Sequence, residues 1–455
     1  MKFLSMERGQ GRKETVYTFG AALVSKILTY ALLLILANLF SKDVYGKAAF
    51  VISIFDLTMF LGSIGVPYIL SPWIARKHDV HSVFYSLLML SGLMMIIGIV
   101  IAIFHPWILP IVLLYPILFV RNFAGSYLQA NFKYHINQIG NNVYLVVTAV
   151  FAFMLKDYNN LGIILAYTAG YLASSILICT NAVKEIKDLF SRFEFNIETL
   201  KLYFKKSLIT SSLTVSFLFL RWIDTFILGL LSTYASIAAY NIALPVANSV
   251  TVISIPLSFY MLSKIPKVEN EAHSISILKT AIRISFMMSL LALIAINSVL
   301  YLLVRLFFPV YVGIEIYIML LSIGILFYAM YEPIYYYVSA KLNPEIARIP
   351  IFTAISANIL LDVLLIPFFD IYGVVIATIA AHVIAFTMLC MKLEILKDFY
   401  KAYFMAILVV LSYLMGYAGL ALLIAAVPLT FMLGLFKKND YLIIKETLMS
   451  IIRRH

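Results

Sequence analysis

Eight side chains set the terms on which this chain can do chemistry. Lys26, Asp56, Arg221, Asp224, Asn248, Arg283, Glu332 and Asp362 each stand inside an otherwise apolar run. The stretch LRWIDTFILG, Leu220 to Gly229, is the sharpest case. A charge near the middle of a membrane helix costs about 2.5–3.5 kcal/mol on an insertion scale. Arg221 and Asp224 lie one helical turn apart and continue a polar stripe from Ser207 through Thr210 or Ser211 and Thr214. Ser53, Asp56, Ser63 and Pro67 form a second stripe, and Asn241, Pro245, Asn248 and Thr251 a third. Arginine grips an oxyanion bidentately and lysine holds it as a point charge. Lys26, Arg221, Arg283 and Asn248 are therefore the candidate ligands for an anionic substrate. Arg221 paired to Asp224 as a helix-orienting bridge is an equal reading, and Arg283, near a helix end, can also snorkel to the interface. Asp56, Asp224, Glu332 and Asp362 are candidates for carrying a proton or holding a cation, or are neutralised structural carboxylates. Glu332 precedes Pro333, which frees a backbone carbonyl. His382 reads as a satisfied core residue. No catalytic motif, metal-ligand cluster or cofactor signature is present in the 455 residues.

The elements that must position these groups are membrane helices. The chain is 63% hydrophobic and 12% charged, far from the soluble norm. About 20 apolar residues cross the hydrocarbon core. Candidate spans are 15–40, 45–69, 83–104, 107–119, 136–155, 161–180, 207–231, 234–262, 277–303, 312–340, 349–369, 372–391, 403–415 and 419–436. The short fourth one extends to about Leu128, which takes in Arg121 near its cytoplasmic end. The first is too long for a cleavable signal. With both termini in the cytoplasm, most lysines and arginines fall on the inner side, and only Lys42, Lys47, Lys156 and Arg305 occupy outer turns. The net charge of +12 is thus a topology signal, reinforced by anionic lipid headgroups, and not a nucleic-acid footprint. Cys179 and Cys390 are two buried thiols. The 30 tyrosines are assigned mainly to the interfacial belt.

Internal symmetry organises the chain. LGIILAYTAGYLASSILIC from Leu161 parallels YGVVIATIAAHVIAFTMLC from Tyr372, matching Gly162 to Gly373, Ala166 to Ala377 and Cys179 to Cys390. VYGKAAFVIS from Val44 parallels IAAYNIALPV from Ile237. The expected architecture is an all-α polytopic membrane protein with about fourteen helices. A six-helix lobe spans 1–180, an amphipathic linker 181–206, a second lobe 207–395, and a C-terminal helix pair with its tail 396–455. The tail YLIIKETLMSIIRRH, from Tyr441, reads like the linker as interfacial. Outer turns such as FSKD and FHPW are too short to fold into a catalytic domain.

The pattern DTFILG, a short turn, AAYNIA, then LNPEIAR and LIPFFDIYGVVIAT, resembles the multidrug/oligosaccharidyl-lipid/polysaccharide exporter superfamily. Within it the chain is most similar to the O-antigen flippase-like oligosaccharide flippases, over roughly residues 15 to 395. ANLFSKDVYGKAAFVISIFDLTMFLGSIGVPYILSPWIAR is similar to their first two helices. The resemblance implies alternating access and export of a polyprenyl-diphosphate-linked glycan from the inner to the outer leaflet of the cell membrane. Its implied partners are a lipid-linked oligosaccharide, membrane lipids and other polysaccharide-assembly proteins, with coupling to Na+ or H+ open. A cation-coupled drug or metabolite antiporter and a lipid-linked peptidoglycan-precursor flippase are the alternatives. A membrane polymerase is disfavoured by the short outer turns.

Overall fold

A computed structural model describes residues 21, 24–63, 70–71, 73–74, 79–131, 133–193, 196–214, 216–251, 265, 268, 270–341, 345–415, 417–437 and 440. Of residues 61–63, 206–221, 339, 414, 417–418 and 420, only the backbone is described. Pro67 and the tail from Tyr441 lie outside the described residues, as do the side chains of Ser63, Ser207, Thr210, Ser211, Thr214 and Arg221. Among the described residues the only regular elements are helices. Eight of them are long and apolar enough to cross a membrane, and Val24–Leu39, Trp222–Leu231 and Ala421–Met432 are shorter apolar stretches. The chain divides into two compact units, Met1–Ala239 and Tyr240–His455.

The first unit holds α1 (Val24–Leu39), α2 (Lys42–Ser63), α3 (His81–Phe104), α4 (Tyr115–Ala130), α5 (Tyr134–Met154), α6 (Asn159–Thr180), α7 (Val183–Ser191), α8 (Ile197–Thr214) and α9 (Ser216–Leu231). In α3 the apolar pattern has two sides. Met89, Leu93, Ile96, Val100 and Ile103 recur at spacings of three and four and are exposed, while Val83, Phe84 and Leu87 are fully buried. In water such a face would be a liability; in a bilayer it meets lipid. Pro106, Pro110 and Pro116 break the entry to α4 into short turns, because proline fits the first turn of a helix and not its interior. Beyond them α4 runs unbroken to Ala130, so Arg121 lies in its middle.

The linker segment holds α7 and the start of α8. Asn196 ends the break between α7 and α8 by accepting the backbone N–H of Glu198 at 2.9 Å and of Thr199 at 3.2 Å. Leu189 of α7 is buried in a cluster with Phe84, Phe119, Phe123 and Tyr203, and Phe193 meets Tyr85 with ring centroids 4.8 Å apart. The linker therefore packs onto the first unit. α9 packs on α2, where the Phe50 and Phe226 rings stack at 6.2 Å. Gly229 faces Phe50, and Gly46 lies under the Tyr234 carbonyl, so neither position has room for a Cβ.

The second unit begins within α10 (Tyr234–Asn248) and holds α11 (Glu271–Phe307), α12 (Glu315–Ala340), α13 (Glu345–Phe369), α14 (Ile371–Lys392), α15 (Lys401–Leu414) and α16 (Tyr417–Met432). α11 has 37 residues, longer than its apolar core requires, because the Asn270 side chain caps its N-terminus on the His273 N–H. α12 is the most deeply buried of the eight spans.

The repeat read in the sequence recurs in the backbone. Asn159, the first residue of α6, and Asp370, just before α14, both take positive φ, at 51° and 50°, with ψ of −128° and −125°. Such backbone is uncommon outside glycine, and Asn and Asp tolerate it best. Three residues on, Gly162 and Gly373 let each helix start press against the preceding turn, at Leu155 and at Leu365–Ile366. The same offset relates Arg121 of α4 to Glu332 of α12, and Tyr171 of α6 to His382 of α14.

Candidate functional site

Each unit carries a cluster of polar side chains between packed helices. In the first, Tyr171 donates from its hydroxyl to Asp56 Oδ1 at 3.0 Å, joining α6 to α2. Tyr144 of α5 stacks on Tyr171 with centroids 4.6 Å apart, and Tyr167 adjoins both at 6.1 and 6.5 Å. Arg121 reaches from α4 to Ser174 of α6. Asn141 Nδ2 donates to Ser25 Oγ of α1 at 2.9 Å. Thr58 and Tyr115 share a hydroxyl bond of 2.6 Å. On α5 the polar residues Asn137, Asn141, Tyr144 and Thr148 form one stripe, and Val146 and Val150 are exposed on the other side. Lys26 is exposed on α1, next to buried Ser25. Asp224 is fully buried on α9.

In the second unit, Tyr331 and His382 Nδ1 are hydrogen-bonded at 3.1 Å, with Tyr328 packed on both rings. Glu332, 8% exposed, follows Tyr331. Asn358 and Asp362 are one turn apart on α13, both with no exposed surface. Neither amide atom of Asn358 has a hydrogen-bond partner among the described residues, an arrangement that costs folding free energy and suits a ligand that supplies the missing contacts. Thr378 of α14 donates to the Val374 carbonyl at 2.8 Å and lies 3.3 Å from the Tyr240 hydroxyl. Asn248 ends α10, and its Oδ1 is buried without a partner among the described residues. No group of three His, Cys, Asp or Glu able to hold a metal occurs among the described residues. A monovalent cation needs less charge, and one carboxylate with neutral oxygens is a suitable donor set.

The structure gives Arg283 a partner that the sequence did not suggest. Its Nε meets Asp440 Oδ2 at 2.8 Å and one Nη meets Oδ1 at 2.9 Å, and Thr280 takes a further bond at 2.9 Å. Asp440, 1% exposed, also accepts the Lys437 N–H at 2.8 Å. The pair fastens the segment after α16 to α11. No sequence signal marked Asp440, because the two residues are far apart in the chain. Arg121 and the three tyrosines were also missed as a group. Tyr167 and Tyr171 at helical spacing were visible, but tyrosine is so abundant here that the interfacial belt absorbed them. Asn358 could have been found, since it precedes Asp362 by one turn.

A helical, polytopic chain with polar centres inside each unit has the form of a membrane transporter. The family model for polysaccharide biosynthesis proteins matches residues 12–266, and the chain belongs to that family. Its fold is that of the exporter superfamily named above. The chain is similar to a lipid II flippase, MurJ, in an inward closed conformation, with a TM-score of 0.70 and 17% identity over 91% of this chain and 97% of that one. It is also similar to an inward-facing multidrug resistance transporter of the MATE family, with a TM-score of 0.64 and 15% identity over 82% of this chain and 96% of that one. No curated protein matches the chain. This is a multi-pass membrane protein of the flippase and transporter type.

Proposed function

We propose that the protein moves a polyprenyl-diphosphate-linked oligosaccharide from the inner to the outer leaflet of the cell membrane by alternating access, with both termini cytoplasmic. The observation that carries this reading is its membership of the polysaccharide biosynthesis family. Its substrate is anionic at the diphosphate, and Lys26 and Arg221 are the cations inside membrane helices assigned to that group. Asn248, whose buried oxygen has no partner among the described residues, is assigned to the substrate's polar portion. Asp362 and Asn358 are assigned to a coupling cation, Na+ or H+, with Asp56, Asp224 and Glu332 as the other membrane carboxylates of the transport cycle. Arg283 is assigned to the Asp440 anchor rather than to substrate. Deleting the gene should remove a surface glycan, and the wild-type gene should restore it; normal glycan in the deletion strain contradicts the proposal. The buried Asn358 and Asp362 also favour a second reading, cation-coupled efflux of a drug or metabolite. That reading requires dye export driven by a cation gradient.

A further inference from the structure

Packing leaves one feature of the first unit unexplained, a guanidinium in the middle of α4 held, among the described residues, by neutral acceptors. Arg121 donates through Nε and one Nη to Ser174 Oγ at 3.3 and 3.1 Å, and through the other Nη to Asn122 Oδ1 at 3.3 Å. Among the described residues no carboxylate forms an ion pair with it. A guanidinium carries five N–H donors in a planar fork matched to the two oxygens of a carboxylate. Neutral acceptors recover only part of what burying such a charge costs. The repeat itself does not demand the charge, since Glu332 occupies the equivalent place in the second unit.

What lies beside Arg121 is equally specific. Tyr144, Tyr167 and Tyr171 form a contiguous aromatic surface that is only half-buried, and on α5 Tyr144 lies opposite the exposed Ile139, Val146 and Val150. Tyr171 donates a hydrogen bond from its hydroxyl to Asp56, which orients a carboxylate at the edge of that surface. A pyranose ring has apolar C–H faces that lie on aromatic rings and hydroxyls that donate to a carboxylate. An oxyanion on the same sugar would complete the fork of Arg121. We propose that Asp56, Arg121, Tyr144, Tyr167 and Tyr171 form a subsite for an acidic sugar unit, one that carries a carboxylate. The tyrosines carry the ring, Asp56 accepts hydrogen bonds from its hydroxyls, and Arg121 binds its carboxylate. The inference rests on the glycan reading above and narrows it to glycans that contain a uronic acid.

The test uses the full-length protein in proteoliposomes and two probes that share one polyprenyl diphosphate. One probe ends in glucuronic acid and the other in glucose. Wild type should move the acidic probe faster by about tenfold, the scale of one charged hydrogen-bonded contact. Arg121→Gln should erase that preference while still moving the neutral probe, which shows that the variant folds. Should Arg121→Gln fail to insert, Arg121→Lys keeps the charge, loses the fork, and should reduce the preference. An acid-to-neutral ratio unaltered by either variant overturns the subsite, as does an equal loss with both probes, which would place Arg121 on the diphosphate. Failure of wild type to move either probe overturns the glycan reading itself.

Discussion

Asp440 grips Arg283 with both carboxylate oxygens, and the geometry is a fork on a fork. Both side chains are well buried, at 13% and 1% exposure, so the bridge is not a surface pair that water can replace. Removing one partner strands the other charge, which costs about 3–5 kcal/mol. Arg283→Ala or Asp440→Ala should therefore lower the unfolding midpoint of the purified protein strongly. The double change Arg283→Met with Asp440→Leu should recover most of the loss, since no charge is then left buried. A double variant as unstable as either single one would contradict this. The intramembrane charges themselves were legible, because each interrupts an apolar run. Their partners were not: Asp440, Ser174 and Tyr171 are distant in sequence from Arg283, Arg121 and Asp56, and only the packing of helices brings them together.

Elements were more legible than contacts. Hydrophobic length marked the spans from α3 to α6 and from α11 to α14, and polar or proline-bearing turns marked most of their ends. The exceptions have local causes. Asn270 extends α11 by capping it, and Asn196 splits the linker. The matched Gly162 and Gly373 were visible as a repeat, but their reason was not. Each sits where a helix start crosses the turn before it, and a Cβ there would overlap backbone at Leu155 or at Leu365 and Ile366. Backbone cannot yield as a flexible side chain does, so overpacking here costs about 1–3 kcal/mol. Gly162→Ala and Gly373→Ala should each reduce thermal stability by a similar amount, as the shared backbone geometry requires. Gly92→Ala, on α3 with open space beside it, should not. Equal stability of all three variants would refute the assignment.

For the whole molecule, the asymmetry of lysine and arginine across the spans predicts an inner and an outer side, and the family membership gives the chain its class. The substrate was never legible in composition; it depends on which charges face it. The central claim is therefore one of transport, and it is tested most directly by leaflet translocation of a fluorescent polyprenyl-diphosphate glycan in proteoliposomes. Wild-type protein should carry the glycan across, and Arg221→Ala, equally folded and inserted, should slow it by about tenfold or more for the loss of one charged contact. Equal rates in the two would return Arg221 to the architecture of its helix. No movement by well-folded wild-type protein, with or without a sodium or proton gradient, would contradict the account.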